Sequence, residues 1–213
     1  MFLQKLFNHF KSKTYASTVN KPIRMGRSFG KKAIFAGNIP QSGGEFIYQW
    51  DTVMTHIKEE NYVLNNCLML GVAGGTAISP LRKYYPKIQI LGIEIDPVIL
   101  GIAQQNNFFK THKNTKIEIV DAIEWIKLDK NKYDLIMVDL YLGVLNPHTA
   151  RADSFLRDVM NHLTPKGIVL YNCHYRQSKR GEHSEFIKRV KKLYTRVEVI
   201  FEFPKNKVLL LEK

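Results

Sequence analysis

From Asn66 to the C-terminus, short apolar runs alternate with segments of helical period, and this alternation constrains the fold more than any other feature. The runs are Cys67–Leu70, Ile88–Ile95, Lys116–Val120, Tyr133–Leu140 and Ile168–Tyr171. Between them lie the predicted helices Ile78–Tyr85, Pro97–Asn107, Ala122–Leu128 and Ala152–Leu163, the last ending before Pro165-Lys-Gly167, and Ser184–Tyr194 follows the fifth run. Such alternation builds a parallel sheet with helices on its faces. Tyr133–Leu140 is strongly apolar, as suits a strand buried on both sides. Arg196–Phe203 and Lys207–Leu211 read as a closing β-hairpin around Pro204-Lys-Asn206. The predicted architecture is a Rossmann-like doubly wound α/β sheet, mostly parallel with a C-terminal antiparallel strand. Its ligands belong at the carboxyl ends of the strands.

Residues 61–213 would form that main domain. Upstream, residues 21–60 read as a small unit closing the site. In it, Pro22–Ser28 and Lys31–Ala36 form a β-hairpin around Phe29-Gly30, Gln41-Ser-Gly-Gly44 is a turn, and Phe46–Ile57 is a helix. Residues 1–20 are a helical arm and connector, with Phe2, Leu3, Leu6, Phe7 and Phe10 on one helical face. That arm is basic: no Asp or Glu precedes Glu45, and the whole chain carries a formal charge of +13. Such a charge favours polyanions, nucleic acid among them, but no RNA- or DNA-reading motif accompanies it. No apolar run reaches the roughly 20 residues that span a bilayer, and the first ten residues lack a secretory signal's apolar core. Two cysteines, Cys67 and Cys173, build neither a disulfide framework nor a metal site. They suit buried thiols in a reducing, cytoplasmic setting.

The chemistry-bearing segment is Leu68-Met-Leu-Gly-Val-Ala-Gly-Gly-Thr76. It joins a strand to a helix through Gly71, Ala73, Gly74 and Gly75, so that backbone can approach a ligand closely. The next strand ends in Gly92-Ile-Glu-Ile-Asp96, placing Glu94 where an acid accepts hydrogen bonds from ribose hydroxyls. Asp121-Ala122 ends the third strand, in reach of an adenine amino group, and Asp139 ends the fourth. Acids that terminate successive parallel strands share one crevice.

Gly71–Thr76, Gly92–Asp96, Asp121, Val138-Asp139 and Leu163-Thr-Pro-Lys-Gly167 resemble the core of the spermidine synthases, the polyamine aminopropyltransferases. Gly37-Asn-Ile-Pro-Gln41 and Glu45-Phe-Ile-Tyr-Gln49 are similar to the stretch with which that family closes its site, so the resemblance covers roughly residues 30–172. It implies a class I AdoMet-dependent methyltransferase fold and decarboxylated AdoMet, or AdoMet itself, as co-substrate without a metal. Glu94 would hold the ribose and Asp121 the adenine, with Asp96 and Ala122 beside them. Gln41 and Gln49 would line the nucleoside pocket. Asp139 would help deprotonate a small-molecule amine. Tyr141, just after the fourth strand, should face the cofactor and is the second candidate catalytic residue. The resemblance also implies a homodimer.

Several of that family's acids are absent. Its glycine-loop aspartate is Gly74 here, the acid three residues beyond Asp139 is Leu142, and the glutamine of the fifth strand is Asn172. The tyrosine of its last loop has no counterpart in Pro204-Lys-Asn206. A diamine needs several carboxylates to offset the desolvation of two ammonium groups. The first reading that follows is aminopropyl transfer to an amine; the alternatives are methyl transfer to an unidentified acceptor and a non-catalytic domain that binds nucleoside or nucleic acid. For methyl transfer, His148, His174 and Tyr175 are further candidate bases, and the Asn-Pro-Pro-aromatic run of amino-group methylases is absent after Asp139. Trp50 and Trp125 read as core.

Overall fold

The computed structural model describes residues 13–109, 113–142, 146–174, 180–203 and 206–213. The predicted arm helix over Phe2–Phe10, the candidate base Tyr175 and Pro204-Lys205 lie outside the described residues.

The N-terminal unit is larger than the predicted hairpin. Strands β1 (Thr14–Tyr15), β2 (Ile23–Ser28), β3 (Lys31–Ala36) and β4 (Ile39–Gly43) form an antiparallel meander in that order. Phe29 and Gly30 turn β2 into β3 with φ of 48° and 73°. Two left-handed residues make the type I′ geometry that matches strand twist. Two expectations need correction. Thr14–Tyr15, read as connector, pairs with Ile23 and Arg24 as a strand. Gln41–Gly43, read as a turn, lies in β4, where a register shift opposite Ile34 and Phe35 accommodates the small residues. Helix α1 (Phe46–Glu59) follows, burying Trp50, Val53, Met54 and Ile57 along one face.

The main sheet comprises β5 (Asn66–Leu70), β6 (Gln89–Glu94), β7 (Thr115–Ile119), β8 (Tyr133–Val138), β9 (Leu163–His174), β10 (Arg196–Phe203) and β11 (Asn206–Glu212). Its spatial order is β10-β11-β9-β8-β5-β6-β7. The five strands from β9 to β7 are parallel, and β11 runs antiparallel between β9 and β10. Pro165-Lys-Gly167, expected between elements, lies inside β9 as an irregularity: Tyr133 pairs Leu163 while Leu135 pairs Ile168. The crossovers are α2 (Ile78–Tyr84), α3 (Pro97–Gln105), α4 (Ala122–Leu128) and α5 (Asp153–Asn161), and α6 (Arg180–Leu193) leads into the final hairpin.

Period-two alternation divides the core between the two faces. Cys67, Met69, Leu135, Met137, Ile168, Leu170, Val208 and Leu210 pack with α1, α2, α3 and the N-terminal sheet. Leu68, Leu70, Ile136, Val138, Val169, Tyr171, Leu209 and Leu211 pack with α4, α5 and α6. Strands filled on both sides read as unbroken apolar runs. Strand order reverses between β5 and β8, so the crevice where open α/β sheets bind ligands opens there, at Gly71 and Asp139. No described helix is long and apolar enough to cross a membrane.

Candidate active site

One side of the crevice is built from a strained turn and a buried carboxylate. Gly71 N donates to Ile93 O at 2.9 Å, and Asp139 N to Leu70 O at 2.8 Å, which holds the ends of β5, β6 and β8 together. Gly71 has φ +88°, and a Cβ there would stand 2.4 Å from the Asp139 carbonyl oxygen. Only glycine fits both conditions. Ala73 also sits in the left-handed region, at φ 46°. Glu94 holds this turn: its Oε2 accepts from Val72 N at 3.1 Å and Ala73 N at 2.6 Å, and its Oε1 from Asp96 N at 2.8 Å. Burial pushes the Glu94 carboxyl above its ordinary value, and these backbone donors oppose the shift. Asp121 caps α4 by accepting from Ile123 N at 2.8 Å.

An open cleft of about 770 Å3 runs past these groups, lined among others by Asn20, Gln41, Glu94, Asp121, Ala122 and Asp139. That volume includes space open to solvent. Asp96 does not line it. Asp96 is fully buried, caps Val98 N at 2.9 Å, and receives Ser17 Oγ at 2.6 Å and Asn20 Nδ2 at 2.8 Å. Its work is to tie the segment before β2 to the main domain, which brings Asn20 to the cleft.

The floor around Gly74 is closed. Ser42 of β4 lies over it, so a Cβ on Gly74 would meet Ser42 Oγ at 2.5 Å and Ser42 Cβ at 2.7 Å. Ser42 shares a short hydrogen bond with Thr76, whose Oγ1 also accepts from Gly43 N at 2.8 Å. A side chain at Gly74 would therefore displace the N-terminal sheet.

Beyond Asp139 the surroundings change character. A second, tighter recess, about 430 Å3 with the space open to solvent included, is lined by Ser42, Trp50, Met137, Asp139, Tyr141 and Asn172, among others. Asn172 Nδ2 donates to Asp139 Oδ1 at 2.6 Å. Burial pushes the Asp139 carboxyl up to about 7; the Asn172 bond opposes this and the Glu94 charge adds to it. Tyr141 donates its hydroxyl to Gln41 O at 2.7 Å, so it closes the N-terminal sheet onto the crevice. Burial, with the Asp139 charge, raises the phenol above its usual range and keeps it neutral. His174 packs at a tilt against Tyr141 at 4.8 Å between ring centroids, with Nε2 3.9 Å from Asp139 Oδ1, beyond hydrogen-bond reach. Burial and the Arg151 charge hold it down at about 4, so it is neutral. His148 is exposed, ahead of the short 3-10 turn Thr149–Arg151. Gln49, assigned by resemblance to the nucleoside pocket, instead lies buried on α1, where its Oε1 accepts from Asn206 Nδ2 at 2.8 Å. Trp125, also read as core, is half-buried and donates to Glu118 at 3.0 Å.

Sequence reasoning missed Asn20, Ser42, Asn206 and the brace formed by Asn146 and Arg151. Asn146 Nδ2 donates to Leu140 O at 2.7 Å and to Asn172 O at 3.0 Å, while Arg151 donates to Asn146 Oδ1 and His174 O. No local motif announces any of them. Among the described residues, no three metal-ligating side chains come together.

The arrangement of glycine turn, strand-end acids and reversal point has known counterparts. A family model for a methyltransferase domain matches residues 64–207. The chain belongs to that methyltransferase-domain family. It is 32% identical over 121 residues to a probable polyamine aminopropyl transferase of Bifidobacterium longum, a match covering 57% of this chain and 27% of that protein. It is likewise 32% identical over 117 residues to the human eEF1A lysine and N-terminal methyltransferase, covering 49% of this chain and 17% of the other. The chain thus spans well under half the length of these curated relatives. In three dimensions it superposes on a probable spermidine synthase from Corynebacterium glutamicum with a TM-score of 0.77 and 17% identity, over 95% of this chain and 80% of that one. The family is one of transferases.

Proposed function

We propose that this chain uses an S-adenosyl cofactor to alkylate an amine held at Asp139, and that the group transferred is methyl. One observation carries the reading: among the described residues, Asp139 is the single carboxylate lining both the nucleoside cleft and the recess beyond it. Gly71, Ala73, Gly74 and Gly75 would let backbone approach the cofactor, with Glu94 on the ribose and Asp121 and Ala122 at the adenine. Glu94 already accepts three backbone hydrogen bonds, so ribose hydroxyls would use what remains of its roughly four acceptor positions. Gln41, in the closing unit of residues 21–60, would roof the cleft together with Tyr141 of the main domain, residues 61–213.

When bound, the cofactor supplies an electrophilic carbon on a sulfonium and its own leaving group. Asp139 supplies the rest: an ammonium has no lone pair, and an ionised carboxylate in hydrogen-bond reach orients the amine and takes its proton. With its carboxyl near 7, Asp139 is poised for both forms at neutral pH.

Methyl is favoured over aminopropyl because Ser42 fills the space at Gly74 where the resembled family keeps an acid for an ammonium-ended cofactor. Without that acid, the carboxylate end of AdoMet meets no repulsion there. Aminopropyl transfer from decarboxylated AdoMet is the second reading, supported by the Bifidobacterium relative's name. Thermal stabilisation by AdoMet, decarboxylated AdoMet and methylthioadenosine, measured side by side, tests both. A ligand at a hundred times its Kd adds about 2.7 kcal/mol. AdoMet should give the largest rise in Tm. A larger rise with the decarboxylated compound reverses the choice, and no rise with any of the three overturns the cofactor.

A further inference from the structure

Between α1, the carboxyl end of β9 and the start of β11 lie polar side chains that the fold leaves unsatisfied. Ile168 and Leu170 of β9 face the core beneath α1, and Asn172 and His174 continue that register. Asn206 pairs across the strands with His174, and its amide reaches Gln49 of α1. Gln49, Asn172 and Asn206 are 2%, 1% and 7% exposed. Yet Gln49 Nε2, Asn172 Oδ1, Asn206 Oδ1 and His174 Nε2 have no hydrogen-bond partner. Each such atom is costly to bury, and native proteins keep few of them. Four in one small region, continuous with Asp139 through the 2.6 Å bond to Asn172, mark a place built for a ligand.

The donor and acceptor pattern says what kind. An ionised carboxylate only accepts, so Asn172 turns its NH2 toward Asp139 and leaves its carbonyl oxygen free. Turning over both amides of the Gln49–Asn206 pair exchanges their roles but still leaves one donor and one acceptor. The cluster therefore offers a carboxylate and a carbonyl to the N–H groups of one amine. It offers one donor and one acceptor to a second group. A second ammonium would bring a charge and three donors to neutral amides, with Asp139 already engaged, and its desolvation would go uncompensated. An uncharged amide, with its own C=O and N–H, matches.

We propose that Gln49, Asn172 and Asn206 form the acceptor subsite, and that it takes a monoamine bearing an uncharged amide rather than a diamine. This rests on the reading above only in placing the amine at Asp139. His174, neutral and packed at a tilt against Tyr141, forms an uncharged wall of the same subsite.

The test uses γ-aminobutyramide and putrescine, similar in length and differing at one end, titrated into the full chain saturated with S-adenosylhomocysteine. The amide should bind about tenfold more tightly, as expected for one matched hydrogen-bonding group against one unpaired charge. In the double variant Gln49→Met/Asn206→Leu that preference should vanish. Its Tm should hold or rise, because two unsatisfied buried groups are gone. Equal or tighter binding of putrescine overturns the proposal, as does a double variant that keeps the preference. Should the variant fail to fold, the wild-type ratio decides alone. Absence of S-adenosylhomocysteine binding would overturn the cofactor reading instead, and the two amines titrated into the cofactor-free chain would then decide this one.

Discussion

The two halves of the crevice are made of different materials. On the nucleoside side the polar groups are answered within the fold: Glu94 by three backbone N–H groups, Asp96 by Ser17, Asn20 and Val98, Asp121 by the first turn of α4. On the acceptor side, side-chain amides stand buried with atoms unanswered. The first half is preorganised by the same bonds that hold the sheet together, so changing it damages the fold. The second carries a standing cost that a ligand relieves, so changing it alters what binds while leaving the fold intact. A scaffold divided in this way can keep one cofactor and exchange acceptors by a handful of substitutions.

The largest expected effect is at the junction. Asp139→Asn should lower turnover by roughly 10²–10⁴-fold at neutral pH, the usual contribution of a general base. Cofactor affinity should be unchanged, since Asp139 adjoins the nucleoside cleft without building its turn. The wild-type rate should rise as pH passes through about 7, where Asp139 ionises. The variant's rate should instead follow the free amine toward higher pH. Parallel loss of cofactor affinity and turnover would show that the two halves are one.

Gly71→Ala should break the comparison from the other side. The new Cβ meets the Asp139 carbonyl oxygen at 2.4 Å, at a φ that alanine resists. Backbone strain and a clash with main chain together should cost on the order of 3 kcal/mol. Thermal melts and AdoMet titration should therefore fall together, whereas the Gln49→Met/Asn206→Leu pair should spare both. A Gly71→Ala protein of unaltered Tm would remove the claim that the nucleoside half and the fold are inseparable.

Stability against pH offers a subtler division. The folded-state value of Asp139, about 7, lies above the ~3.9 of an unfolded aspartate. Between those values the folded chain holds a proton that the unfolded chain has lost, so this group's contribution falls as pH rises. Glu94, also raised, acts in the same direction. His174 opposes them: its folded value of about 4 lies below the unfolded ~6.5, so its contribution grows as pH rises between the two. Asp139→Asn should therefore melt higher than wild type at pH 8, and by less at pH 4. Equal melting curves at both would mean that Asp139 is solvated.

How much of this the sequence disclosed follows the same division. The central strands were legible because burial on both faces leaves unbroken apolar runs, as in Cys67–Leu70 and Tyr133–Val138. Glu94, Asp121 and Asp139 stood out because each ends a strand or lies within two residues of its end, so local pattern alone brings them to one edge. Gln41–Gly43 misled because its small residues suit a turn, while pairing with β3 holds them in a strand. The acceptor cluster could not be read at all. Gln49 and Asn206 are 157 positions apart, and only the packing of α1 over the C-terminal hairpin makes them neighbours. Asp96 was legible as a strand-end acid but not in its partner, because Ser17 lies 79 positions away in a segment read as connector.

That partner gives the smallest and most specific test. Ser17 Oγ donates to Asp96 Oδ2 and accepts from Val19 N at 3.0 Å and Asn20 N at 2.9 Å, so one hydroxyl both folds the segment and anchors it. Asn20, held beside it on the same carboxylate oxygen, lines the nucleoside cleft. Ser17→Ala removes the anchor but leaves Asp96 capping α3, so the loss should be about 1 kcal/mol and the fold should survive. Asn20 would then spend less time at the cleft. Cofactor should dissociate about fivefold faster, as that energy implies, while the preference for amide over diamine stays as it was. A change confined to the amine preference would place the segment on the acceptor side and dissolve the boundary between the halves. No change in either would leave Ser17 as a tether for the N-terminal sheet alone.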